Sequence, residues 1–411
     1  MCAIIPINFV MNYSQVLNGL ETLSVRGMDF GLERTRALLD GLGAPDKKLK
    51  IIHIAGSNGK GSVAEYLTQI LLCADKTVGT FTSPAVFDYF EQFRINGQNI
   101  KKSLFAEAFG KTLTVAESAG SATRFEVETA GALYAFALAG CEYAVVECGL
   151  GGLYDATNAI SNKEIAVITS VSLEHTAILG DSIESICRHK AGIIKNCPAV
   201  VSALQTDKTL TYMRGKGAQI ADKPLEIIKS NVNGQTFIYG GKQFETQMAG
   251  IAQPYNAAAA IEAAHILKIS DNAIYSGVKA AKLNGRIEVL RANGNTYILD
   301  GAHNPASFVP LADFLQGFGG ADVAVFGSLA DKDINGNLLA LKPHVKKVYA
   351  VTPDSPRALP AERLLEVCAK HGVPAELFES VSTALESAHG TVAVCGTFTI
   401  LKEAESFIKN T

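Results

Sequence analysis

The chain is expected to be an α/β protein of two domains, and three features of its sequence carry that expectation. Near-continuous apolar runs alternate with stretches of helical periodicity from one end to the other, the pattern of mostly parallel sheets covered by helices on both faces. One strand-to-helix junction is the glycine- and lysine-punctuated turn "GSNGKGS", residues 56–62. The length of 411 residues exceeds one ordinary domain, and two or three is the usual partition.

Ile51, Ile52 and Ile54 read as a short buried strand, and after the turn Val63, Tyr66, Leu67, Ile70 and Leu71 recur at helical spacing. "FEVETAGALYAFALA" and "SIESICRHKAGII" read as helices, while "EYAVVECG", "EIAVITSVS" and "PAVVSA" read as strands buried on both faces. At "KSNVNGQTFIYGGKQFETQMAG" the texture changes. Short alternating runs with Asn-Gly and Gly-Gly turns predict a small antiparallel addition to the first domain. "YNAAAAIEAAHIL" is a further helix. From "GRIEVL" a second α/β series begins, through "TYILDGAHN", "ADVAVFGSL", "KKVYAVTP" and "TVAVCGTF". The predicted boundary lies near Leu283, with domains over 1–283 and 284–411.

The composition is that of a globular protein, 48% hydrophobic and 19% charged, with a net charge of −3. Such a balance excludes bulk basic character, so neither nucleic acid nor an anionic membrane is expected as a main partner. No run approaches the roughly 18 apolar residues of a membrane span. The apolar N-terminal patch lacks a basic leader and does not read as a signal peptide. Eight cysteines are scattered without CxxC spacing, which predicts reduced thiols in a cytoplasm. A monomer is expected.

Several residues carry candidate chemistry. Gly56, Ser57, Asn58, Gly59, Lys60, Gly61 and Ser62 predict a nucleotide cradle: loop amides wrap phosphate oxygens, and the helix N-terminus favours an anion. Lys60 is placed to reach terminal phosphates, and a hydroxyl to meet Mg²⁺. Gly61 between Lys60 and Ser62 departs from the standard spacing. Glu147 ends a buried strand before a glycine-rich turn, at the sheet edge where ligands gather. An acid there suits Mg²⁺ or an attacking amine, or closes a structural ion pair. Its neighbour Cys148 reads as buried filler. His175 leaves the next strand, either as a second metal ligand or as a satisfied structural histidine. Lys190 lies on a helix and, from spacing alone, is a solvated lysine. Asp300 and His303 end a second-domain strand, either in a loop facing the first domain or in an ordinary Asp-Gly turn. Arg286 at the junction reaches nucleotide phosphates on closure or pairs with Glu288.

Taken together, "GSNGKGS", "TSPA…FRING", "TRFEVETA", "VECGLGGLYDATN", "SLEHTAILGDSIESICRHKAGII", "GRIEVL", "LDGAHNP" and "FGSLADKD" resemble the folylpolyglutamate synthase/dihydrofolate synthase family of Mur-ligase-like ATP-dependent amide ligases. The similarity runs from about Tyr13 to beyond "VCGTFTI". It implies a phosphate-loop central domain followed by a Rossmann-like C-terminal domain. It also implies that ATP phosphorylates a folate-type carboxylate (dihydropteroate or tetrahydrofolate) and that the amine of L-glutamate attacks the acyl phosphate. By the same resemblance Ser83 and Glu147 bind one Mg²⁺, His175 shares the metal region, and two metals act together. Lys190 matches a carbamylated lysine. Asn256, Arg286 and Asp300 match nucleotide contacts, and His303 the loop where glutamate meets the acyl phosphate.

The chain also departs from the family pattern. Ala85, Asp88, Phe90 and Gln92 stand where the family usually has His, Arg, Asn and Arg. Leu153 replaces an Arg, and "RHKAG" replaces "REKAG". Several of these losses fall in loops expected to face the acid substrate, so a same-mechanism ligase of a non-folate acid is the alternative. A nucleotide-gated binding protein without ligase activity is a third, which intact Lys60, Glu147, His175, Lys190 and Asp300 argue against.

Overall fold

A computed structural model describes residues 11–24, 27, 31–119 and 122–411. Cys2 and the apolar N-terminal patch fall outside the described residues.

The first eight strands are β1 (Lys50–Ala55), β2 (Val78–Phe81), β3 (Phe93–Ile95), β4 (Gln98–Asn99), β5 (Tyr143–Glu147), β6 (Ile165–Ile168), β7 (Ala199–Ser202) and β8 (Gln219–Ala221). They form one sheet in the order β4-β3-β2-β5-β1-β6-β7-β8. It is parallel from β2 to β8 and antiparallel only at the β3 and β4 edge. Every residue of β5, β6 and β7 is buried, which is why these strands read as unbroken apolar runs rather than alternating ones. Helices cover both faces. The helix Lys60–Cys73 packs Val63, Tyr66, Leu67 and Ile70 into one core with the alanine-rich helix Gln253–Ile266. On the other face, Arg124–Leu138 and its neighbours enclose a second core. That helix begins with a capping box, in which Thr123 and Glu126 each bond the other's backbone N–H.

The expected antiparallel addition is a three-stranded sheet of β9 (Leu225–Asn231), β10 (Gly234–Tyr239) and β11 (Lys242–Thr246). A third sheet contains β12 (Glu288–Ala292), β13 (Asn295–Leu299), β14 (Ala321–Phe326), β15 (Val345–Ala350), β16 (Ala375–Leu377) and β17 (Thr391–Cys395). Its order is β12-β13-β17-β14-β15-β16, antiparallel only at β12. Strand β2, of four residues, and the strands β3, β4, β8 and β16, of two or three, are the ones the apolar runs did not reveal, being too short for a periodicity.

Parallel sheets gather their loops at one edge, and register decides which residues meet there. Ile54 pairs with Glu147 and Ala55 with Ile168, so the turns after β1, β5 and β6 leave the sheet side by side. In the third sheet Leu299 pairs with Val394 and Phe326 with Cys395, which places Asp300 and His303 at the corresponding edge.

Candidate active site in the cleft between the sheets

These two edges face one another across a cleft of about 1160 Å³. Ser57 through Ser62, Ser83, Glu147, His175, Asn256, Arg286, Asp300 and His303 all line it. Gly56 and Lys190, from the same predicted set, lie behind the wall.

The glycine-rich turn is held open by its own backbone. Gly59 has φ +88°, and a Cβ there would sit 2.4 Å from Asn256 Oδ1. A Cβ on Gly56 would collide with Thr169 Oγ1. No side chain caps the helix Lys60–Cys73, so its first N–H groups stay available to an anion. The next loop braces the turn. Ser57 N donates to Ser170 O at 2.7 Å, Ser172 N donates to Ser57 Oγ at 2.9 Å, and Ser170 Oγ donates to Asn58 O at 3.2 Å. Lys60 Nζ donates to Gly56 O at 3.1 Å and Ser57 O at 3.4 Å, and lies 3.8 Å from Glu147 Oε1. Ser62, 2% exposed, accepts from Gln253 Nε2 at 3.3 Å, and Asn256 Nδ2 donates to Gln253 Oε1 at 3.2 Å. Gln253 was not singled out from the sequence, where it reads as an ordinary first-turn residue.

Glu147 is buried, and burial pushes its carboxyl up while Lys60, Arg286 and the Ser83 N–H pull it down. Ser83 N donates to Glu147 Oε2 at 3.4 Å. His175 precedes the short helix Thr176–Leu179 with φ +47° and makes no side-chain capping bond. Burial lowers its imidazole below the ordinary range, helped by Lys332, so it is neutral at pH 7 and able to accept a proton or a cation. Among the described residues, no three His, Cys, Asp or Glu side chains converge as an all-protein metal cage. Nucleotide-bound Mg²⁺ needs none, since it keeps water and takes phosphate oxygens with one or two carboxylates. Glu147 beside the turn fits that requirement.

Lys190 is not the solvated lysine its spacing suggests. Its side chain is 1% exposed, and Nζ lies 2.6 Å from Glu174 Oε1. Burial lowers the ammonium more than Glu174 raises it. Burial also acts to raise Glu174, but Lys190, then Lys60, outweigh it and hold the carboxyl at about 2. Glu174 lines the cleft, so Lys190 reaches it through this partner. Glu174 was missed because in "SLEHT" the neighbouring histidine is the rarer signal.

Asp300 serves the turn and the cleft together. Its Oδ2 accepts from Ile287 N at 2.8 Å and its Oδ1 from Ala302 N at 2.7 Å. Burial pushes this carboxyl up to about 6 against the pull of Arg286 and those N–H groups. Arg286 does not take the Glu288 pairing. Its guanidinium lies 4.3 Å from the Phe398 ring centroid, while Glu288 accepts from Gly285 N. His303 Nδ1 lies 2.8 Å from Gly301 O. A carbonyl only accepts, so Nδ1 carries the hydrogen and Nε2 keeps its lone pair. Burial lowers His303 to about 4. Cys148 is the buried filler expected, 1% exposed with Sγ 3.1 Å from His53 Nε2.

Of the altered positions, Asp88 accepts from Phe90 N at 2.9 Å, and Phe90 stacks on Tyr13 and packs edge-on to Phe105. Both build the loop's frame. Ala85 and Gln92 line the cleft.

A phosphate-type turn on one mostly parallel sheet faces an Asp–His loop on a second across a shared cleft, an arrangement suited to a nucleotide-dependent ligase. The model of the Mur ligase middle domain matches residues 54–264, and that of the Mur ligase glutamate ligase domain matches residues 285–399. The dihydrofolate synthase/folylpolyglutamate synthase of Escherichia coli K12 is 35% identical over 397 residues, covering 93% of this chain and 92% of that protein. An Escherichia coli structure in complex with DHPP and ADP has a TM-score of 0.85 at 32% identity, covering 97% of this chain and 98% of that one. A Yersinia pestis bifunctional enzyme complexed with AMPPNP and Mn ion has a TM-score of 0.82 at 34% identity, covering 96% and 97%. The chain belongs to the folylpolyglutamate synthase/dihydrofolate synthase family of Mur ligases.

Proposed function

We propose that this chain ligates L-glutamate onto a folate-type carboxylate, dihydropteroate or a tetrahydrofolate, with conversion of ATP to ADP and phosphate. The observation that carries the reading is the facing of Lys60 and Glu147 on one sheet edge by Asp300 and His303 on the other, within one cleft and one chain. The family relatives support the same chemistry. We place the division between the domains at 283/284, supported by the change of sheet and by the matched spans.

A carboxylate is a poor electrophile because its leaving group would be oxide. Its oxygen attacks the γ-phosphorus of ATP, ADP leaves, and an acyl phosphate forms. The neutral amine of glutamate, having lost one proton from its ammonium form, then attacks the acyl carbon; phosphate leaves, and the nitrogen loses a second proton to base or solvent, keeping one as the amide N–H. Little covalent work falls to the protein, which positions the reactants and neutralises charge. The loop amides and Lys60 hold the phosphates, while Asn256, Arg286 and Asp300 hold the rest of the nucleotide. Neutral His303 offers Nε2 to the incoming amine. Glu147 and Ser83, with His175 beside them, would hold Mg²⁺, in two sites on our reading, and the metal would supply positive charge to the phosphoryl oxygens.

Lys190 completes this reading as a carbamate. Burial favours the free amine, whose nitrogen attacks CO₂ and releases a proton, turning a cation into an anion. Lys190→Ala is expected to lose most of its activity and to regain part of it with added acetate or formate. Full activity without rescue would remove the carbamate from the mechanism.

Asp300 carries a pH dependence. The carboxyl ionises at about 6, so kcat/KM is expected to fall as pH drops through 6 and Asp300 takes up a proton. Because the folded value lies above that of the unfolded chain, the same group favours folding at low pH and loses that contribution between about 4 and 6. A pH profile of Asp300→Asn that kept the limb would assign it elsewhere.

The deciding experiment is ADP release with ATP, Mg²⁺ and L-glutamate, with dihydropteroate in one tube and tetrahydrofolate in another. Products are identified by mass. Turnover with either acid supports the proposal, and ADP formation at the full rate without any acid overturns it. The cleft-facing changes at Ala85 and Gln92 favour a second reading, ligation onto a non-folate acid. Silence with both folate acids while ATP still binds would support that one.

A further inference from the structure

The phosphate loop and the His303 loop touch directly. Asn58 Nδ2 donates to Asn304 Oδ1 at 3.2 Å, and Asn304 Nδ2 donates to Asn58 Oδ1 at 3.1 Å. Two primary amides facing each other satisfy one donor and one acceptor on each side, an arrangement open only to Asn and Gln side chains. Asn304 is 5% exposed, and its Oδ1 also accepts from Ser307 N at 2.8 Å as the cap of the helix Pro305–Gly317. The same side chain therefore fixes a helix in the second domain and grips the first. Neighbouring bonds stiffen its backbone. His303 N and Asn304 N both donate to Ser307 Oγ, at 2.9 and 3.0 Å. Asn337 Nδ2 donates to His303 O at 3.2 Å. On the opposite side Asn58 is tied to Ser170 and Ser172.

We infer that Asn304 is a positioning residue which, through its amide pair with Asn58, sets the register of His303 against the phosphate loop. Attack of an amine on an acyl phosphate demands that groups from two domains stand within a few tenths of an ångström of their places, and a misplacement of about 1 Å costs about a hundredfold in rate. The backbone of the glycine-rich turn cannot supply that register alone, because it is shaped to receive phosphate. The amide pair supplies it without placing a charge beside the nucleotide. This inference rests on the ligase reading above.

The test is steady-state ADP release by the full chain with ATP, Mg²⁺, L-glutamate and whichever acid the unsubstituted chain uses. Asn304→Ser keeps a good helix cap and removes the amide, and Asn304→Asp keeps the cap and removes the donor. Both are expected to lower kcat roughly ten- to a hundredfold, with the KM for ATP and the thermal midpoint unchanged. Asn58→Ser combined with Asn304→Ser is expected to be no slower than Asn58→Ser alone, since each change breaks the same contact. Normal kcat in the Asn304 variants, or losses that multiply in the double variant, would overturn the inference. ADP formation by the unsubstituted chain at the full rate without any acid would overturn the ligase reading and this inference with it.

Discussion

Lys60→Ala is expected to lower kcat/KM for ligation by roughly two to three orders of magnitude, the loss seen when one preorganised donor is taken from a developing charge. The lysine sits in the turn with loop oxygens on one side and Glu147 3.8 Å away. No other cation of the turn can take its place, since 56–62 contains none. The fold should be unaffected, because Lys60 is a first-turn residue whose side chain belongs to the cleft. Near-normal turnover in an ADP-release assay would show that phosphate is held elsewhere.

Glu174→Ala is expected to give the largest loss of stability. In the uncarbamylated chain, kept free of CO₂ and bicarbonate, removing the carboxylate leaves the ammonium of Lys190 buried and unpaired, a change that costs about 3–5 kcal/mol, or roughly 5–10 °C in thermal midpoint. Adding Lys190→Met should recover most of that stability, because a buried pair and an apolar pair are nearly equivalent energetically, without recovering turnover. A single variant as stable as the unsubstituted chain would show that Lys190 finds another partner. The pair also predicts acid sensitivity. Glu174 is held at about 2, far below the unfolded carboxylate. Its contribution is therefore complete above about 4.5 and disappears as pH falls toward 2.

The strands β1, β5, β6 and β7 were legible because burial on both faces forces unbroken apolar runs. The antiparallel addition was legible through its Asn-Gly and Gly-Gly turns. Strands of two or three residues leave no such trace. Within the cleft, Lys60 and its glycines announced themselves, because a strand, a glycine-rich turn and a helix leave few alternatives. Lys190 and Glu174 did not. Their partnership spans a helix and a loop, and burial, which gives the pair its character, is a property of the packed chain. Asn304 was hidden for a related reason. A sequence displays the helix cap, while the second use of the same amide depends on a residue 246 positions away.

The resting contacts of Lys60 bear on how the enzyme recycles. Its ammonium already has two carbonyl oxygens and lies near a carboxylate, so an arriving phosphate takes over partners instead of filling an empty shell. Each such bond is worth about 0.5–1.5 kcal/mol net, and that amount is subtracted from the affinity for ATP and for ADP alike. A weaker hold on ADP is the expected consequence, because the loop re-forms its own bonds as the product leaves. A lysine so partnered is ready-made for the next nucleotide, since its own oxygens keep it in place between turnovers.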